Sequence, residues 1–237
     1  GVGIAWGGFN VTEGGGDSAE VALELMPGNK IRKYDTWHAM GQGATTGSLV
    51  VTLEALKEMH LTPEDIQLIQ NDTKTCPDTG MAGASRSLYM DGNATIIAAN
   101  KLLAAMRKED GTLRTYDEMK AEGIETKYLG RYETNTTPGL CRLDPNTGIG
   151  DPTPAFTYCL NLAEVEVDTK TGKTTVLKFT CVDFVGRIGN IDAVNGQAYS
   201  GIMHGIGFAL KEDYADVKKH ANMFGAGTSY IKDVPDD

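Results

Sequence analysis

A chain of 237 residues with 41% hydrophobic content is long enough to bury a core of its own, as one large domain or two small ones. Its 32 acidic residues against 22 basic ones give a net charge of −10, and no cluster of Lys and Arg forms a phosphate-tracking stripe, which argues against nucleic acid as a partner. No run reaches the roughly 18 to 20 apolar residues of a membrane span, and no basic patch precedes an apolar stretch at the N-terminus, so a soluble chain is expected, made in the cytoplasm or cut from something larger.

The chain opens on a glycine-rich stretch, residues 1–10. Residues 19–25 then alternate apolar and mostly polar positions as a half-buried strand does, Met26-Pro27-Gly28-Asn29 turns the chain, and residues 31–37 offer a partner strand. From Gly47 the period changes: Leu49, Leu53 and Leu56 fall at i, i+4 and i+7, on one face of a helix that ends near His60. Thr62-Pro63-Glu64-Asp65 reads as a cap and a single turn before a strand at residues 66–70. The longest predicted helix covers residues 85–107, with Ile96, Leu103 and Met106 on one side and Ala98, Ala99, Ala104 and Ala105 favouring the helical state.

Thr115 and Glu118 make a T-x-x-E capping box for a short helix through Glu122. Residues 123–154 are polar and rich in Gly, Pro, Thr and Asn, and are expected to be irregular. A hairpin follows, with residues 163–168 and 173–183 as strands and 169–172 as the turn. Residues 192–210 form the last predicted helix, in which Gly201, Gly205 and Ala209 recur every fourth position and are expected to face a closely approaching element. Without a strict βαβ rhythm the expected fold is α+β, a mixed α/β architecture. The expected organisation is a first α/β segment over residues 1–122, a connection over 123–157, and a hairpin with a glycine-rich helix over 158–237.

Cys76, Cys141, Cys159 and Cys181 are far apart and form no C-x-x-C pair, which speaks against an iron-sulfur cluster or zinc site within the chain and favours buried thiols. His38, His60, His204 and His220 show no metal-ligand spacing, so a metal, where there is one, is held by something else. Three segments do place small residues at a helix start, where unpaired backbone N–H groups and the helix dipole suit an anionic ligand. The first is Met40-Gly41-Gln42-Gly43-Ala44-Thr45-Thr46-Gly47, in which an amide between two glycines is exposed as donor and acceptor. The second runs from Cys76 through Ala82-Gly83-Ala84-Ser85 to Ser87, and the third is Asn195-Gly196-Gln197-Ala198-Tyr199-Ser200-Gly201. For each taken singly, local evidence favours the ordinary reading over a ligand site: a strand-to-helix turn, a loop with a Ser cap, and a packing feature.

In order along the whole chain, the Gly41-Gln42-Gly43 loop, residues 80–85, Gly196-Gln197 with Gly201, and the end from Lys218-Lys219-His220 through Pro235-Asp236 resemble the molybdenum hydroxylases of the xanthine oxidase family. The branch most similar is the bacterial aldehyde oxidoreductases that use molybdopterin cytosine dinucleotide. The resemblance implies a molybdenum held by the pterin dithiolene and non-protein ligands. It implies further that Gln42 hydrogen-bonds the cofactor, with Gly41 and Gly43 flanking it, that Ala82, Gly83, Ala84 and Ser85 approach it through backbone groups, and that Gln197 contacts the pterin side. Met40 departs from the pattern, in which a histidine tends to precede the G-Q-G, so one polar cofactor contact is expected to be missing.

The resemblance implies oxidation of an aldehyde to a carboxylic acid, with a purine or N-heterocycle as the alternative substrate class. The family's base is a glutamate in a G-V-G-E-like segment expected after Asp237, so no catalytic residue is assigned here; Gly1-Val2-Gly3-Ile4 has Ile where the acid would stand. Two iron-sulfur domains with their 2Fe-2S clusters, and an earlier molybdenum-binding segment, are expected as partner regions outside the chain, and a homodimer is admitted. The isolated chain is therefore expected to be inactive and to hold no molybdenum. The competing expectation is a catalytically silent scaffold derived from the same family.

Overall fold

The computed structural model describes residues 1–11, 16–70, 72–134, 143–151, 153–215 and 230–232; Cys141, Lys218, Lys219, His220, Pro235 and Asp236 lie outside them. The elements in chain order are β1 (Val2–Val11), β2 (Ser18–Met26), β3 (Lys30–Asp35), α1 (Ala44–Ala55), β4 (Ile66–Gln70), α2 (Arg86–Met106), α3 (Tyr116–Ala121), β5 (Lys127–Glu133), β6 (Ala155–Val167), β7 (Thr174–Phe184), α4 (Ile191–Leu210), β8 (Asp213–Ala215) and β9 (Tyr230–Lys232). The architecture is mixed α/β. The chain forms two compact units, residues Gly8–Tyr158 with Phe184–Asn190, and residues Gly1–Gly7 with Cys159–Asp183 and Ile191–Asp237.

The larger unit is built on a four-stranded sheet of order β4-β3-β2-β5, in which β2 runs antiparallel to β3 and β5 while β3 and β4 are parallel. The alternation in β2 has its expected consequence, since Ala19, Val21, Leu23 and Leu25 are all fully buried. They pack with Ile31 of β3 and with Met90, Ala94, Ala98 and Leu102 of α2, and Leu56 and Met119 complete the core. The expected caps are present: Thr62 and Asp65 close one box, and Thr115 and Glu118 close the other at the start of α3. Lys108 beside the Glu118 carboxylate, with the Thr115 N–H, pushes its pKa down to about 2.

Three expectations need correction. Residues 123–154 contain β5, which pairs with β2 in the register Val21↔Gly130. The glycine that made this segment read as a loop is what admits it to the sheet: a Cβ at Gly130 would overlap the Ala94 carbonyl oxygen and lie 2.5 Å from Ala98 N, so α2 crosses β5 at backbone distance. For the same reason the face of α2 against the sheet is made of Ala94 and Ala98, and Ile96 is 46% exposed instead of buried. Along α1 the buried stripe is Ala44, Ser48 and Thr52, with Leu49 and Leu53 only partly covered.

Residues 1–10, read only as glycine-rich, form β1, and β1, β6 and β7 make a three-stranded sheet in that order. The predicted hairpin is present, and its turn is closed by Asp168 N–H donating to Lys173 O at 2.9 Å and Gly172 N–H donating to Asp168 O at 2.7 Å. Helix α4 matches its prediction within a residue, but its glycine face does not: among the described residues nothing lies within 4 Å of a Cβ built at Gly196, Gly201 or Gly205, and the buried glycine is Gly207.

Gly130→Ala is expected to lower stability by about 1 to 3 kcal/mol, at the upper end because the obstructing atoms are backbone. Urea unfolding checks this, and a midpoint equal to the parent's would mean that α2 and β5 are not in backbone contact.

Candidate functional site

Strand β3 ends on a buried charge. The Asp35 carboxylate accepts hydrogen bonds from the Ser48 hydroxyl at 2.7 Å, from Gln70 Nε2 at 2.8 Å and from the Trp37 N–H at 3.3 Å. Two residues back along the same strand, Lys33 donates to Asp91 of α2 at 2.7 Å and lies 3.4 Å from Asp35, with all three side chains fully buried. Two carboxylates thus share one ammonium in an apolar interior. Burial pushes the Asp91 carboxyl up to about 6 against the pull of Lys33, and the neighbouring Asp35 charge adds to the rise. Its Oδ2 is bonded to Lys33 and Thr95, whereas its Oδ1 is buried with no partner among the described residues.

Beyond Asp35 the chain makes the first predicted loop. Gly41 and Gly43 have left-handed backbones, φ 94° and 85°, and α1 begins directly after them with no side-chain cap and no acidic residue in its first turn. The Gln42 amide is not free as expected. It folds onto its own loop, Oε1 accepting from the Met40 N–H at 2.6 Å and Nε2 donating to the His38 carbonyl at 2.9 Å. Met40 itself is 70% exposed.

The second predicted loop opens α2. Ala84 and Ser85 are consecutively left-handed, φ 47° and 52°, and Ser85 makes no capping bond, so again the first turn has neither cap nor acid. Left-handed backbone at a residue other than glycine costs roughly 1 to 2 kcal/mol and persists only where the surroundings enforce it. Here Arg86 enforces it. Its guanidinium binds both oxygens of Asp17, at 2.6 and 2.8 Å, and donates to the carbonyls of Ser18, Thr79 and Met81 at 2.9, 3.0 and 2.6 Å. Gly80 fits under this group because it lacks a side chain; a Cβ there would lie 2.7 Å from Arg86 Nη2.

The fold therefore brings Gly41, Gln42 and Gly43 and Ala82, Gly83, Ala84 and Ser85 into one unit, at the starts of two helices that pack together, with Val51 against Gly92. Gln197 lies exposed on α4, in the other unit. Two uncapped helix starts, lacking first-turn acids, suit a ligand that is anionic and rich in hydrogen-bond acceptors. Among the described residues no three His, Cys, Asp or Glu side chains gather to hold a metal, and no helix is long and apolar enough to cross a membrane. Arg86, Thr79 and the Lys33 cluster went unmarked in the sequence. The one available cue was Arg86 itself, a cation in a first helical turn, where the dipole disfavours it.

This fold and these loops define a class. Residues 1–235 match the molybdopterin cofactor-binding domain, and the chain belongs to that family. It is 40% identical over 236 residues to the aldehyde oxidoreductase of Megalodesulfovibrio gigas, covering all of this chain and 26% of that protein. The crystal structure of the aldehyde oxidoreductase from Desulfovibrio desulfuricans superposes with a TM-score of 0.86 at 42% identity, over 100% of this chain and 26% of that one. The xanthine dehydrogenase of Dictyostelium discoideum is 26% identical over 206 residues, and the copper- and molybdenum-containing carbon monoxide dehydrogenase shares the fold at a TM-score of 0.71 and 17% identity. The chain spans about a quarter of the length of the aldehyde oxidoreductases it matches.

Asp91 binds its proton more tightly folded than unfolded, where its pKa is near 3.8. Its contribution to stability therefore declines as pH rises from about 4 to about 6 and is level above that, by an amount on the order of 3 kcal/mol. Asp91→Asn should remove this difference relative to the parent, and Lys33→Met, which leaves two buried carboxylates, should cost about 3 to 5 kcal/mol at pH 7. Urea midpoints measured from pH 4 to 8 check both; parallel pH profiles for parent and Asp91→Asn would show that Asp91 does not titrate in this range.

Proposed function

We propose that this chain supplies part of the cofactor-binding surface of a molybdenum enzyme that oxidises an aldehyde to a carboxylic acid. In this reading Gly41, Gln42 and Gly43 and the backbone of Ala82, Gly83, Ala84 and Ser85 contact the pterin and its phosphates, and Gln197 reaches the pterin side. The cofactor is the cytosine dinucleotide form of molybdopterin. The partner regions are the iron-sulfur domains and the rest of the molybdenum-binding region, in a cytoplasmic enzyme. When bound, the cofactor supplies electron acceptance and activation of the attacking oxygen. What this chain's residues contribute is binding and orientation, through N–H groups aimed along two helix axes.

The observation that carries this reading is the enforced left-handed pair Ala84–Ser85 at an uncapped helix start. Strain maintained by a buried arginine is a feature of binding loops more than of ordinary turns. Substrate class rests on 40% identity to an aldehyde oxidoreductase.

Gly83→Asp tests it. A Cβ at Gly83 meets only Met81 Cε, at 3.6 Å, so the fold accepts the side chain, and a carboxylate before α2 favours the helix. Against an anionic cofactor the same charge is repulsive. Pterin bound per chain, measured by the fluorescence of its oxidised form in the enzyme expressed with its cofactor, should fall at least tenfold while the thermal midpoint of the cofactor-free protein holds or rises. Full retention would remove this loop from the cofactor site.

A further inference from the structure

The two loops begin at points that are tied to each other. The Thr36 N–H donates to the Thr79 hydroxyl and the Thr79 N–H donates to the Thr36 hydroxyl, each at 2.9 Å, across 43 residues of sequence. The Thr79 hydroxyl has one proton, and this goes to the Glu20 carbonyl at 2.9 Å, so its oxygen is left to accept from Thr36. Thr79 is 2% exposed, and Arg86 holds its carbonyl from the other side at 3.0 Å. Directly beyond the pair each loop is fixed once more, Trp37 N–H to Asp35 and Gly80 N–H to Asp78.

We infer that Thr36 and Thr79 are positioning residues that join the loop of residues 37–43 to the loop of residues 80–85, so that ordering one orders the other. Removing either hydroxyl leaves a part-buried backbone N–H without its acceptor, and the loss is relieved by letting the two loops part. A ligand that touches both loops then meets them already aligned, with less ordering left to do on binding. The consequence for a cofactor rests on the proposed function; the coupling itself does not.

The test uses Thr36→Val and Thr79→Val, which are close in shape and lack the hydroxyl, together with Thr79→Ser, which keeps it. Amide hydrogen exchange is read at Met40 in the first loop and at Arg86 in the second, both distant in sequence from the substitution made in the other loop. Either valine variant should speed exchange about tenfold at both reporters, the double variant should add little more, and Thr79→Ser should restore the parent rates. Acceleration confined to the loop that carries the substitution would overturn the inference. Where Thr79→Val does not fold, Thr36→Val, at a half-buried position, makes the same test. Pterin retention in the cofactor-loaded enzyme separates the two readings: exchange raised in both loops with retention unchanged leaves the coupling standing and removes the cofactor assignment.

Discussion

The ammonium of Lys33 lies between Asp35 and Asp91 with no water reaching any of the three side chains, and much of the larger unit is arranged around the need to compensate these charges. An ion removed from water costs several kcal/mol unless its partners are close and its remaining hydrogen-bonding capacity is filled. One cation cannot neutralise two carboxylates, so Asp35 draws donors from the Ser48 hydroxyl on α1 and the Gln70 amide on β4. This fixes which side of α1 turns inward. Ser48 must face Asp35, Thr52 follows one turn on and donates to the Ser48 carbonyl at 2.7 Å, and two of the three leucines that periodicity assigned to the core, Leu49 and Leu53, are rotated to its margin while Leu56 stays buried.

The same cluster connects the sheet to both candidate loops. Asp35 is the last residue of β3, one position before Thr36, and Asp91 sits six residues into the helix that the second loop opens. Loops that start from such fixed points need little regular structure of their own. Binding residues on loops carried by a rigid scaffold are a recurrent arrangement, because the scaffold bears the packing and the loop presents the polar groups.

Much of this was legible in the sequence where the determinant was local. The alternation of β2, the cap and single turn at Thr62, the capping box at Thr115, the hairpin around Asp168 and the extent of α4 each depend on a few neighbouring residues, and each was read correctly. Strand β5 was missed because its centre is Gly130, whose meaning depends on Ala94 and Ala98 more than thirty residues earlier. Likewise Gln42 was read as presenting its amide outward; the backbone of its own loop offered that amide a donor at Met40 and an acceptor at His38. The glycine face of α4 was expected to be covered, and among the described residues it is open. Of the site, the two loops could be located by their glycines and small residues, but the groups that shape them could not, since Thr36–Thr79 and Arg86–Asp17 are pairings across 43 and 69 residues.

Magnitudes decide why the second loop keeps its unfavourable backbone. Two left-handed residues other than glycine, Ala84 and Ser85, cost roughly 2 to 4 kcal/mol together. Relaxing them would pull the Met81 and Thr79 carbonyls away from Arg86, a guanidinium that is 4% exposed and has all five N–H groups engaged. Hydrogen bonds to a charged group contribute about 1.5 to 3 kcal/mol each, and a buried cation that loses two of them regains nothing from water. The loss on relaxing the loop is therefore at least as large as the strain released. The conformation at the start of α2 is set by the arginine beneath it, and no Ser85 side chain caps the helix above it.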